Sequence, residues 1–119
     1  MPMQSLPAGY RALVIGSSGA IGAAFVAQLQ ADPRCALVQG LHRGSSPAID
    51  YAREDSIAAA AAVWRDAPPW QLIIVATGVL HAAPLMPEKR LAELAYPSLE
   101  AVFRTNVFGP ALVLRHFAP

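Results

Sequence analysis

The sequence predicts an α/β protein built on a doubly wound parallel sheet of about four strands. Short apolar runs alternate along the chain with segments that have helical spacing, and this order is typical of parallel strands joined by crossover helices. The apolar runs lack regular alternation with polar residues, which favours strands covered on both faces. The 119 residues are enough for one domain, so we expect residues 1–119 to form a single unit.

Four apolar runs are the expected strands. They cover residues 11–15, 35–41, 48–51 and 72–77, of which the third is short. The run at 72–77 is the clearest, because it contains three branched residues in a row.

Helices are expected between and after these strands. In the first, Ile21, Phe25 and Leu29 recur at four-residue spacing and mark one helix face, which Asp32-Pro33 ends. The others are an alanine-rich helix at 56–64, a short one near 88–94, and a long one from about residue 98 toward 117. The segment 44–47 reads as a loop.

Composition narrows the class of protein. The chain is 55% hydrophobic and 14% charged, which argues against disorder. A net charge of +1 offers no electrostatic basis for binding nucleic acid or an anionic membrane. The first residues lack a signal-peptide pattern and the longest apolar run is too short to span a bilayer, so we expect a cytoplasmic protein.

Cysteine and histidine give no metal site. Cys35 is the single cysteine, so neither an internal disulfide nor a cysteine cluster can form, and its apolar surroundings favour a buried structural thiol. His42, His81 and His116 lack the spacing of metal ligands.

A glycine-rich turn lies between the first strand and the first helix. It reads Gly16-Ser17-Ser18-Gly19-Ala20-Ile21-Gly22. A strand–turn–helix unit directs backbone N–H groups of a helix N-terminus at an anion, so this context predicts a diphosphate site. Gly16 would permit the tight turn, Gly19 would let backbone approach the phosphates, and Gly22 would let the helix pack closely. The alternative is an ordinary glycine-rich loop.

The residues after the second strand bear on the choice of nucleotide. A site for NAD usually has an acidic residue there to hold the ribose hydroxyls. The segment reads Gly40-Leu41-His42-Arg43-Gly44-Ser45, without an acid. A guanidinium binds a phosphate in a bidentate manner, so Arg43 favours NADP(H) over NAD(H). The alternative is that Arg43 is a solvated loop residue.

The chain resembles the short-chain dehydrogenase/reductase family, and most of all its small members that look like C-factor cell-signalling proteins. The likeness covers nearly all of residues 10–119 and rests on four segments in the family's order. They are Val14-Ile15-Gly16-Ser17-Ser18-Gly19-Ala20-Ile21-Gly22, Ile49-Asp50, Ile74-Val75-Ala76-Thr77-Gly78-Val79-Leu80 and Thr105-Asn106-Val107-Phe108-Gly109-Pro110. The resemblance implies a Rossmann-type sheet with strand order 3-2-1-4.

The resemblance also implies roles for single residues. Asp50 would help to place the adenine. Ala76, Thr77 and Gly78 stand where the family usually has Asn-Ala-Gly, beside the cofactor. Asn106 matches the helix asparagine of the family's Asn-Ser-Tyr-Lys catalytic group. Two departures are Ala20, which replaces a frequent glycine, and Ala76, which replaces the usual asparagine.

Asn106 also draws attention without the family. With Leu99, Val102 and Phe103 it follows helical spacing, so we expect its amide on a face that buries apolar side chains. Because Pro110 has no N–H, the Asn106 carbonyl cannot receive the usual helical donor, and a water is one substitute. The family uses such a water in a proton relay. A kinked helix held by structural polar contacts is the alternative.

The family's Tyr-x-x-x-Lys pair is missing from this sequence. Four residues after Tyr10, Tyr51 and Tyr96 stand Val14, Asp55 and Glu100, and none of these is lysine. The family's tyrosine transfers a proton and its lysine lowers the tyrosine pKa. We therefore expect residues 1–119 to be inactive alone, as the front part of a longer, truncated or split protein.

Three hypotheses remain open. The first is the cofactor-binding part of an oxidoreductase that transfers hydride between NADP(H) and a small carbonyl or alcohol substrate. The second is a non-catalytic nucleotide-binding or signalling module of C-factor type. The third is a non-functional piece whose open sheet edge needs a partner. Homo-oligomer formation is left open, and the substrate is not indicated.

Overall fold

The computed structural model describes residues 2–78 and 86–119. Three strands are present in this part of the chain, β1 (Tyr10–Ile15), β2 (Cys35–Leu41) and β3 (Leu72–Val75). Helices α1 (Ala20–Gln30) and α2 (Glu54–Ala62) follow β1 and β2. After β3 come a 3₁₀ turn (Leu91–Glu93), α3 (Tyr96–Phe103), a π-helical segment (Arg104–Phe108) and α4 (Gly109–Phe117). Val79, Leu80 and His81 of the sequence motifs lie outside the described residues.

The sheet is parallel, with strand order β2-β1-β3. β1 pairs with β2 in a register that sets Ile15 beside Leu41, and with β3 in a register that sets Ile15 beside Val75. β3 is the strand that was expected as the fourth along the chain, at 72–77. The expected arrangement, in which the first strand lies between the second and the fourth, is therefore confirmed. Parallel strands in this order bring the ends of all three strands to one edge of the sheet.

The expected third strand at 48–51 is wrong, because the structure has no strand in that segment. A single ladder-like bond runs from the Ile49 N–H to the His42 carbonyl, 3.0 Å. The next N–H, that of Asp50, donates instead to Ser56 Oγ at 2.9 Å, and the same hydroxyl donates to the Asp50 carbonyl. Ser56, at the start of α2, thus takes the N–H and carbonyl of Asp50 that a strand ladder would use. Among the described residues the sheet has three strands, where four were expected.

Helices cover both faces of the sheet, as expected for a doubly wound fold. Successive residues of β1 point to opposite faces. Ala12 and Val14 pack with Leu29 of α1 on one face. Leu13 and Ile15 lie on the other face, in a larger cluster with residues of α2 and α4. β1 is buried along nearly its whole length, whereas β2 and β3 are only partly buried because each is an outer strand among the described residues.

The expected buried face of α1 is correct only at its C-terminal end. Leu29 is 5% exposed, but Ile21 is 69% exposed and Phe25 is also exposed. The residues that α1 turns inward are Gly22, Leu29 and, in part, Val26. The reason is that Gly22 brings the first turn of α1 against the glycine turn, which rotates Ile21 outward.

The long C-terminal helix is continuous in direction but changes its hydrogen bonding at 104–108. The Gly109 N–H donates to the Arg104 carbonyl, five residues earlier, which is a π-helical bond. Pro110, which has no N–H, follows directly, so the widened turn adjusts the ladder at the proline.

The expectation that the face containing Asn106 is buried is wrong. Leu99, Phe103 and Asn106 are exposed. The buried face of this helix lies further on, at Gly109, Val113 and Phe117, because α4, rather than α3, packs on α2. Within the described ranges, the structure contains no helix that is both long and apolar enough to cross a membrane.

Candidate functional site

A cleft of about 500 Å³ opens at the edge of the sheet where the three strands end. Segments from four parts of the chain line it: the glycine turn after β1, the loop after β2, the residues after β3 and the π-helical segment. The described lining residues are Ile15, Gly16, Ser18, Gly19, His42, Arg43, Ile49, Asp50, Tyr51, Ala52, Ala76, Thr77, Gly78, Arg104 and Thr105. Ligands of open α/β sheets bind at this position, outside the carboxyl ends of the strands.

Gly16 and Gly22 are the glycines that the turn requires. Gly16 has φ +88°, a left-handed conformation that side chains rarely adopt. A β-carbon on Gly16 would also lie 2.8 Å from Cγ2 of Thr77. A β-carbon on Gly22 would collide with the Gly16 carbonyl. The tight turn and the close helix approach that were expected of these two glycines are therefore present.

Gly19 has a different role, because it lies at the N-cap of α1. Its φ of −77° is an ordinary value, and a β-carbon there would have only the Gly16 carbonyl nearby, at 3.7 Å. The N-cap has no side chain to cap the helix, and the first turn contains no acidic residue. By contrast, α2 begins with Glu54 and Asp55. Of these two helix N-termini, only that of α1 suits an anion.

Ser17 points away from the cleft. A β-carbon on Gly40 of β2 would lie 2.7 Å from both Cβ and Oγ of Ser17, so the Ser17 side chain lies over that glycine. The Gly16 N–H donates to the Leu41 carbonyl at 2.8 Å. The turn is thus attached to the end of β2. Ser17, Ala20, Ile21 and Gly22 belong to the motif but do not line the cleft.

Arg43 and Asp50 come from the loop after β2, and both line the cleft. Arg43 is exposed. His42 beside it accepts a hydrogen bond at Nδ1 from the Gly44 N–H, 3.0 Å. Asp50 Oδ1 accepts from the Ala52 N–H at 2.9 Å, which orients the carboxylate in a local turn. The two ends of this loop therefore present a cation and an anion to one cavity.

The segment Ala76-Thr77-Gly78 continues from β3 into the cleft. The Ala76 N–H donates to the Ile15 carbonyl at 2.8 Å, which extends the pairing with β1 by one residue. Thr77 Oγ1 lies 2.9 Å from the Tyr51 hydroxyl, and either atom can donate. Burial raises the pKa of the Tyr51 phenol, and the bond with Thr77 offsets part of that rise. Tyr51 is therefore a neutral phenol at physiological pH.

Asn106 lies next to the cleft without lining it. A β-carbon on Gly78 would lie 3.6 Å from Asn106 Oδ1, so the amide is close to the residues after β3. The structure thus brings Gly16, Ser18, Gly19, Arg43, Asp50, Ala76, Thr77 and Gly78 together in one cavity, with Asn106 at its side.

Sequence reasoning missed several residues of the cleft. Tyr51 and Ala52 directly follow Asp50, and Arg104 and Thr105 directly precede Asn106. Arg104 adds a second cation, which forms an exposed ion pair with Glu100 at 3.4 Å. Their proximity in sequence to motif residues was the available signal. That they line the same cavity depends on how the C-terminal helix packs.

Comparison with solved structures shows the same fold in dehydrogenases. The chain aligns with an NADPH-bound carbonyl reductase from chicken fatty liver (TM-score 0.79, 20% identity), covering 96% of this chain and 49% of that one. It also aligns with a small-chain dehydrogenase at a TM-score of 0.70 and 20% identity, covering 92% of this chain and 47% of that one. A third alignment, with the protein lin1944 from Listeria innocua, has a TM-score of 0.65 and 23% identity and covers 89% of this chain and 48% of that one. The chain therefore spans about half the length of these proteins.

No protein-family model and no curated protein matches the sequence. At these identities the alignments show the fold, a parallel α/β sheet like that of short-chain dehydrogenases and carbonyl reductases.

Proposed function

We propose that these residues form the cofactor-binding part of an oxidoreductase of the short-chain dehydrogenase type, with NADP(H) as cofactor. The observation that carries the proposal is one cleft, at the carboxyl ends of parallel strands, lined by Gly16, Gly19, Arg43 and Asp50. A glycine turn before a helix suits a diphosphate, and a guanidinium beyond it suits a further phosphate. Support also comes from the similar fold of a carbonyl reductase that binds NADPH.

The residues fit a dinucleotide on their own geometry. The glycine turn leaves room for backbone approach at Gly19, and the adjacent helix turn carries no carboxylate that would repel a diphosphate. In this proposal the backbone N–H groups of the first turn of α1 would hold the diphosphate, Arg43 would bind the 2′-phosphate, and Asp50 would help to place the adenine. Residues 76–78, which line the same cleft, would lie beside the cofactor.

The nicotinamide ring of the cofactor would supply or accept hydride for a carbonyl or alcohol substrate. Asn106 would hold a water for proton transfer in a complete site. The 119 residues contain no Tyr-x-x-x-Lys pair, so we propose cofactor binding, without turnover, as the activity of these residues by themselves.

Arg43 provides the test of the cofactor. We expect the native chain to bind NADPH more tightly than NADH in a fluorescence titration. Arg43→Asp should lower the affinity for NADPH by at least about tenfold and the affinity for NADH much less. The reason is that a charge-assisted hydrogen bond to phosphate contributes about 1.5–3 kcal/mol.

The matched control is Arg90→Asp, which makes the same charge change on an exposed side chain away from the cleft. It should leave both affinities unchanged. If Arg43→Asp lost affinity for NADPH and NADH equally, Arg43 would not bind the 2′-phosphate. If the folded native chain bound neither dinucleotide, the proposed function would be wrong.

A non-catalytic nucleotide-binding or signalling module of C-factor type is a second candidate, suggested by the likeness of the sequence motifs to C-factor proteins. The two candidates differ in the product of the native gene. Hydride transfer from NADPH to any member of a panel of ketones and aldehydes would favour the oxidoreductase, and cofactor binding without transfer would favour the module.

A further inference from the structure

We propose that Tyr51 is a positioning residue, which holds Thr77 against the glycine turn and so shapes the cleft for the dinucleotide. The inference rests on the proposed function and extends it to a residue for which the sequence motifs assign no role. Tyr51 connects three segments that are distant in sequence: the loop after β2, the residues after β3 and the start of α4.

The ring of Tyr51 packs directly against the backbone of Gly109. A β-carbon at Gly109 would overlap with three ring carbons, Cγ, Cδ2 and Cε2. Gly109 itself is buried at the start of α4. Only a residue without a side chain leaves space for the ring at this point, so Gly109 serves packing here and not a turn.

The ring also contacts the apolar core. Tyr51 packs against the core cluster that contains Ile15, Leu41 and Val113. A ring held between this cluster and a helix backbone has little rotational freedom. These contacts limit the positions that the hydroxyl at its end can take.

That hydroxyl reaches Thr77. The two oxygens are 2.9 Å apart, and both side chains line the cleft. The bond uses the Oγ1 branch of Thr77, and the Cγ2 branch then faces Gly16 of the turn, as the 2.8 Å separation from a β-carbon there shows. Because the two branches of threonine rotate together about one bond, fixing Oγ1 also fixes the methyl group against the turn.

The consequence is an indirect effect on the phosphate site. Gly16 sits in a left-handed conformation at the start of the turn, and Thr77 forms the wall behind it. Loss of the Tyr51 hydroxyl frees Thr77 to rotate, which changes that wall while the turn and the helix keep their sequence. Tyr51 thus acts through Thr77, without a required contact to the cofactor.

The experiment is a double-mutant cycle on NADPH affinity with Tyr51→Phe, Thr77→Val and the double variant. Phenylalanine keeps the ring on Gly109, and valine keeps the methyl group that faces Gly16, so both variants are expected to fold. We expect each single variant to bind NADPH with about fivefold lower affinity, the equivalent of one neutral hydrogen bond. The double variant should bind NADPH as tightly as either single variant, because both changes break the same bond. Tyr96→Phe is the matched control, since Tyr96 is 81% exposed, and it should bind like the native chain.

A second measurement needs no cofactor. In the NMR spectrum, the Gly16 amide and the Thr77 methyl resonances should shift in Tyr51→Phe and not in Tyr96→Phe. The positioning role would be overturned if Tyr51→Phe bound NADPH with native affinity. It would also be overturned if the affinity losses of the two single variants multiplied in the double variant. If the native chain bound no dinucleotide, the proposed function would fail. Unshifted resonances would then, separately, overturn the Tyr51–Thr77 link.

Discussion

At the scale of single residues, Asp32 accepts three hydrogen bonds at the end of the sheet opposite the cleft. Its Oδ2 accepts from the Tyr10 hydroxyl at 2.7 Å and from the Met3 N–H at 2.9 Å, and its Oδ1 accepts from the Arg34 N–H at 2.9 Å. Asp32 thereby ties the N-terminal segment to the start of β1 and to the loop before β2.

These contacts lower the pKa of Asp32. Burial alone would raise it, but the N–H groups of Met3 and Arg34, the Tyr10 hydroxyl and the Arg34 charge together outweigh burial. The same bond, together with burial, raises the pKa of Tyr10. The Asp32 carboxylate is thus stabilised in its charged form by groups that only the folded chain assembles.

A depressed folded pKa makes stability depend on pH in one direction. The contribution of Asp32 is present above the pKa of an unfolded aspartate, about 3.9, and is lost as the pH falls through the lower folded value. We predict that Asp32→Asn lowers the urea midpoint at pH 7 and flattens its decline below about pH 4. Asp66→Asn, on an exposed residue, is the control and should retain the native profile. A native profile in Asp32→Asn would show that the carboxylate does not stabilise the fold.

At the scale of elements, α1 shows why a helix can be identified from sequence while its buried face cannot. The four-residue spacing of Ile21, Phe25 and Leu29 correctly predicts a helix, observed at Ala20–Gln30. The spacing treats the three as equivalent, but the approach of Gly22 to the Gly16 carbonyl rotates the first turn. Only Leu29 reaches the sheet, where it packs with Ala12 and Val14.

This difference within one helix is measurable. Leu29→Ala should lower the free energy of unfolding by about 2–4 kcal/mol, because it removes buried methyl groups and leaves a cavity. Ile21→Ala, the matched change at an exposed position, should alter it by less than about 0.5 kcal/mol. Chemical denaturation of the two variants gives both values, and equal losses would mean that Ile21 is also buried.

The C-terminal helix illustrates a second limit at this scale. Sequence spacing predicts one long helix, and α3, the π-helical segment and α4 do follow one another without a break. Pro110 marks the place where the ladder changes. Which half of the helix is buried depends on α2, whose Ile57 and Ala60 lie in the same cluster as Val113 and Phe117, and no local pattern contains that information.

At the scale of the whole molecule, the described chain is extended rather than spherical. Its radius of gyration is 16.0 Å, against about 13.5 Å for a compact domain of this length. The cleft lies among four segments, so anything that binds in it stabilises the packing of all of them.

Binding should therefore raise the thermal stability of the entire chain. With NADPH at one hundred times its Kd, we expect a gain of about 2.7 kcal/mol and a higher melting temperature in a thermal-shift assay. Gly19→Val should remove this gain without unfolding the protein, because φ at Gly19 is −77° and a β-carbon meets only one atom within 4 Å. A full NADPH-dependent gain in Gly19→Val would contradict the approach of phosphate at that residue.

What the sequence by itself determined is local. Apolar runs define β1, β2 and β3, and the alternation of strands and helices predicts a parallel sheet. The family resemblance of the motifs adds the order of neighbours, which agrees with the observed β2-β1-β3. The glycine turn, Arg43 and residues 76–78 also follow from sequence, because each comes soon after one of these strands and parallel strands end at one edge. Each of these features can be predicted from the residues next to it in the sequence.

What the tertiary structure alone decided depends on residues far apart in the chain. The segment 48–51 is no strand, and the backbone N–H and carbonyl of its Asp50 bond to the Ser56 hydroxyl instead. Asn106 is exposed because α4 provides the buried face. Tyr51 enters the cleft because Gly109 leaves space for its ring. In each case the outcome is set by a competing partner from another element, and hydrogen bonding and packing between elements are not contained in any local pattern.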